Sequence, residues 1–109
     1  MKTYIKRLFD KYYIVVTNEE DLRRYTSLAE KEALFNSVVL DMDKLAKHVF
    51  FPYYDEALNK LIELAKSHNA RTIQYEPFGC SIPVFVCMED ATSFKQDVDS
   101  KLLLLELRK

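Results

Sequence analysis

The stretch Lys101–Lys109, KLLLLELRK, decides how this chain is read. Its unbroken leucines predict a strand buried on both faces, in a central position or at a subunit interface. Two apolar runs precede it. RTIQYE (71–76) alternates with period two, and SIPVFVCM (81–88) is a second strand, with Pro77-Phe78-Gly79 as the turn between them. Pro83 donates no ladder hydrogen bond, which puts it on an edge strand, at a strand start or at a bulge. The polar segment EDATSFKQDVDS (89–100) has room for one helical turn, with Thr92 or Ser93 as its cap.

Upstream, residues 1–11 are ambiguous: Tyr4, Ile5, Leu8 and Phe9 have helical spacing. YYIVVT (12–17) is rich in β-branched and aromatic residues and predicts a strand. Thr17 or Asn18 can cap the next helix, whose first turn would hold Glu19, Glu20 and Asp21. Leu22, Tyr25, Ala29 and Ala33 share a face through about residue 35. SVVLD (37–41) is a short strand or the continuation of that helix, and the apolar run favours the strand. Asp41 or Asp43 then caps a short helix, DKLAKHVF. Pro52 marks a break and opens a further helix, in which Tyr54, Leu58, Leu61 and Ala65 form a stripe widened by Ala57 and Ile62. Asn69 is its left-handed C-cap. This order predicts a single α+β domain over residues 1–109: a two-layer sandwich with an antiparallel or mixed sheet of four to five strands and two to three helices.

Composition narrows function by exclusion. The chain has one glycine, so neither a GxGxxG loop nor a P-loop exists. Two Cys and two His, far apart, give no metal knuckle. No catalytic, cofactor or metal residues are expected. Net charge is −1, without the Lys and Arg excess usual for duplex binding. No apolar run is long enough to span a bilayer, and the N-terminus has no clean signal-peptide core, which predicts a cytoplasmic protein. Along a strand at about 3.3 Å per residue, Cys80 and Cys87 would lie about 23 Å apart, too far for a disulfide, so both are expected as buried free thiols.

Two short stretches resemble known families. VVLDMD, with Asp41 and Asp43, resembles the first motif of haloacid-dehalogenase-type phosphotransferases. There one Asp is the nucleophile and the other an acid/base beside Mg²⁺. The family's Gly-Thr after the second Asp is Lys44-Leu45 here. SIPVFV is similar to the Ile-Pro strand of thioredoxin-like proteins, with Pro83 as the cis proline. That implies a thioredoxin-like α/β alternative, but the CxxC is missing. Cys80 with His48 or His68 has no supporting motif.

The remaining constellation is His48-Val49-Phe50-Phe51-Pro52-Tyr53-Tyr54. Its aromatics suit a core, a protein interface or base stacking. The leading expectation is a non-enzymatic interaction or regulatory protein, an adaptor or inhibitor. It would work as a homodimer, with Phe50, Phe51, Tyr53 and Tyr54 as interface candidates. One alternative is a nucleic-acid-binding regulator, if Lys2, Lys6, Arg7 and Lys11 cluster with Arg23 and Arg24. Another is a small metal-dependent hydrolase or phosphotransferase using Asp41 and Asp43.

Overall fold

The computed structural model describes residues 1–18, 28–75 and 79–107. Strands β1 (Tyr4–Leu8) and β2 (Tyr12–Val16) precede the long helix α1 (Leu28–Val49). A 3-10 turn (Tyr54–Glu56) leads into α2 (Ala57–Lys66); β3 (Arg71–Tyr75), β4 (Cys80–Val84) and α3 (Met88–Leu107) follow. The fold is a mixed α+β one, with three helices and two antiparallel two-stranded sheets among the described residues.

The expected single sheet of four to five strands is replaced by two hairpins, β1–β2 and β3–β4. They meet at one bridge pair, where Tyr13 and Phe85 exchange two hydrogen bonds of 2.8 Å. Pro83 accounts for the short bridge. In a strand, nitrogens two residues apart point to the same side. The Phe85 N–H faces β2, so the Pro83 nitrogen does too, and it has no proton to give. Pairing between the hairpins stops where a Val15–Pro83 pair would continue it. Pro83 thus sits at an interrupted edge, within the expected range. The thioredoxin-like alternative lacks its mark, since the described strand pairs are antiparallel.

KLLLLELRK, expected as a strand, is helical through Leu107. It is the end of α3, and residues 89–100 form the body of that helix. Ala91, Phe94, Val98 and Leu102 recur three and four residues apart and are buried. Leucine is a strong helix former, while β-branched residues favour strands; Lys101–Lys109 has no β-branched residue. Glu89 and Asp90 complement the dipole in the first turn.

SVVLD is likewise helix. Leu34, Phe35, Val38, Met42, Leu45, Ala46 and Val49 make one buried face along α1, so neither the strand nor a separate DKLAKHVF helix forms. Residues 4–8 form a strand, which settles the ambiguous N-terminus. Residues 19–27, with Arg23 and Arg24, lie outside the described residues. The second predicted strand ends at Val84 rather than Met88.

Other expectations hold. YYIVV is β2. Of the predicted stripe, Ala57, Leu61 and Ala65 are buried, but the helix begins at Ala57 rather than at Pro52, and Tyr54 lies before it, exposed. Asn69, at φ 69°, is left-handed just past that helix. Gly79 takes φ 59° at the β3–β4 turn, a conformation that costs glycine little. The core lies where α1 and α3 meet the hairpins, with Ile14, Phe35, Leu45, Ile82, Phe85 and Phe94 essentially inaccessible.

Candidate interaction surface

At the end of α1 the helical bonding runs out through Phe50, whose N–H donates to the Ala46 carbonyl at 2.9 Å. The chain then turns over Phe51-Pro52. The Tyr53 N–H donates to the Phe50 carbonyl at 2.8 Å, and the Tyr54 N–H to the Pro52 carbonyl at 2.9 Å. This tight turn throws its aromatic rings outward. Phe51 is 60%, Tyr53 62% and Tyr54 48% exposed, whereas Phe50 is half-buried against the core. The Phe51 and Tyr54 rings meet edge to face at 5.5 Å. The Lys60 ammonium lies 5.3 Å from the Tyr53 ring centre. Of the four interface candidates, three are on the surface and Phe50 anchors the turn.

A cleft of about 530 Å³ separates this turn from the end of α3. Phe51, Tyr54, Leu102 and Leu105 line it, with His48 and Lys47 among its polar groups. The Met1 ammonium pairs with Glu106 at 3.3 Å beside it. The outer face of α3's last turns carries Leu103, Leu104 and Leu107, each more than half exposed. Sequence reading missed these leucines as surface residues because it placed them in a strand. Helical spacing carried through from Phe94 would have put them opposite Val98 and Leu102.

Asp41 and Asp43 do not form a joint site. Two positions apart on a helix, their side chains diverge by about 200°. Asp41 accepts hydrogen bonds from the Thr17 N–H at 2.8 Å and the Thr17 hydroxyl at 2.5 Å. Thr17 therefore uses its hydroxyl on α1. Asp43 pairs with Lys47 at 2.9 Å, which holds the Lys47 ammonium above its ordinary range. Among the described residues no group of three Cys, His, Asp or Glu could hold a metal.

Cys87 is a free thiol and half-buried, more accessible than expected. His48 and His68 lie apart, in different surroundings. His48 lines the aromatic cleft. His68, past the end of α2, contacts Asp97 of α3 at 2.9 Å. That bond, with Lys101 nearby, holds the Asp97 carboxyl below the usual carboxylate range against the opposing effect of burial. No described helix is long and apolar enough to cross a membrane.

Comparison with protein-family models, with curated proteins and with solved structures gave no match.

Proposed function

We propose that this chain is a small non-enzymatic interaction protein, an adaptor or inhibitor, that acts through protein–protein contacts as a homodimer. The observation that carries the reading is the exposure of large apolar side chains in two places, Leu103, Leu104 and Leu107 on the outer face of α3 and Phe51, Tyr53 and Tyr54 on the turn after α1. Large apolar side chains exposed in groups mark interaction surfaces on soluble proteins. Aromatic residues are also the usual anchors of such interfaces. A second copy is the occupant this reading commits to. A cytoplasmic location goes with it, in keeping with the unpaired Cys87.

Sedimentation velocity over a wide concentration range tests the proposal. The expected result is a dimer that Leu104→Glu with Leu107→Glu converts to a folded monomer. A wild-type monomer at every concentration ends the homodimer reading.

A further inference from the structure

Away from the apolar face, we propose that the tip of the β1–β2 hairpin is a contact site for single-stranded nucleic acid. Two independent observations converge there, one of charge and one of backbone conformation.

The charge is unneutralised. On the helices, Lys47, Lys66, Lys95 and Lys101 each have a carboxylate within ion-pair distance, and among the described residues Lys44 and Lys60 stand singly without one. The hairpin is where such cations cluster: among the described residues, Lys6, Arg7 and Lys11 have none. Asp10 is the single acid in residues 1–18. Arg7 is nonetheless held in place: its guanidinium lies 5.4 Å from the Tyr13 ring centre and donates to the Asp10 carbonyl at 3.1 Å. A guanidinium has five N–H donors, so most of them stay open to a phosphate.

The conformation is costly. Phe9 and Asp10 occupy the two central turn positions with φ of 55° and 54°. The Lys11 N–H closes the turn on the Leu8 carbonyl at 3.1 Å. Such turns favour Asn-Gly or Gly-Gly, because a side chain is disfavoured at positive φ. A bulky ring is the least suited residue, and Phe9 is also exposed, so the core does not require it. An exposed phenyl at the turn, with Arg7 and Lys11 two residues to either side, offers what an unpaired base needs: a face to stack on and cations for the flanking phosphates. A duplex hides its base faces and asks for a larger basic surface than a net charge of −1 provides. An acidic protein would use the cations but has no need of the ring.

The test is fluorescence anisotropy of labelled oligo-dT and oligo-rU with the full chain at low salt, with labelled poly-glutamate alongside. Wild type is expected to bind the oligonucleotides and to lose affinity steeply as salt rises. Phe9→Gly relieves the turn, so the variant melts no lower than wild type, yet binding falls about 5- to 100-fold, the loss of one stacked base. Arg7→Ala with Lys11→Ala flattens the salt dependence. No binding at low salt up to about 100 µM overturns the proposal. So does Phe9→Gly that is folded and binds like wild type. Poly-glutamate binding as tight as oligo-dT and indifferent to Phe9→Gly assigns the tip to an acidic protein instead.

Discussion

Asp41, midway along α1, accepts both the backbone N–H and the hydroxyl of Thr17, at 2.8 and 2.5 Å. One carboxylate thus holds the end of β2 against the long helix and satisfies a backbone donor beyond the last ladder pair. Hydrogen bonds to a charged acceptor are about twice as strong as neutral ones. Asp41→Ala should lower stability by about 2 kcal/mol. Urea unfolding checks this, and a double-mutant cycle with Thr17→Val should show clear coupling. An additive cycle would mean that the two residues act separately. The same contact argues against reading Asp41 as a nucleophile, since its oxygens are already engaged.

The acid side of the stability curve should report the His68–Asp97 pair. Asp97 is held below the ordinary carboxylate range chiefly by its hydrogen bond to His68, then by Lys101. A depressed folded pKa contributes stability that is complete above the unfolded value near 4 and is lost as pH falls through the folded value. The stability gap between wild type and Asp97→Asn should therefore be full at about pH 5 and close as pH drops below about 4. Urea midpoints at a series of acidic pH values measure it. A gap that stays constant down to strong acid would assign the loss to something other than ionisation.

Turn chemistry offers a gain. Asp10 sits at φ 54° in the second central position of the β1–β2 turn. Only its carbonyl, which glycine retains, is engaged by Arg7. Asp10→Gly should raise stability by about 0.5–1 kcal/mol, seen as a higher melting temperature. A lower one would mean that the Asp10 side chain has a role in the hairpin.

The legible parts of this fold are those where a local pattern matches a local structure. YYIVV reads as a strand from its side-chain types, and Ala57, Leu61 and Ala65 read as a helix face from their spacing. Asn69 reads as a left-handed cap because few other residues tolerate that conformation. The failures occur where the window was too short. SVVLD looks like a strand only when separated from Leu34, Phe35, Leu45 and Val49, which continue its period. The surface aromatics show a different limit. Helical periodicity would turn Tyr54 inward with Leu58 and Leu61. The helix instead begins at Ala57, and the Phe51–Pro52 turn aims Tyr54 outward. Which ring faces water depends on where a turn ends, and composition does not encode that. The Phe9 turn was equally hidden, since Asp10 tolerates positive φ but Phe9 gives no sign of it.

Phe85 should be among the most sensitive core positions. It is fully buried, packs at 5.3 Å against the Phe94 ring and supplies the bridge to Tyr13. Phe85→Ala removes that packing and leaves a cavity at the junction of the two hairpins, at a cost of about 3–5 kcal/mol. Chemical denaturation measures the loss. Phe85→Leu should recover most of it, because the backbone bridge does not depend on the ring.

Alanine substitution through the leucine run tests the helical end of α3 directly. In a strand, Leu102 and Leu104 would share one face and Leu103 and Leu105 the other. In α3, Leu102 is 6% exposed while Leu103 and Leu104 are 56% and 55% exposed. Leu102→Ala should therefore cost about 2–3 kcal/mol. Leu103→Ala and Leu104→Ala should each cost less than about 0.5 kcal/mol at concentrations where the chain is monomeric. Thermal melts at low protein concentration separate the patterns. Equal costs at Leu102 and Leu104 would restore the strand. If the dimer forms, the costs at Leu103 and Leu104 should grow as protein concentration rises, because association then stabilises wild type and not the variants.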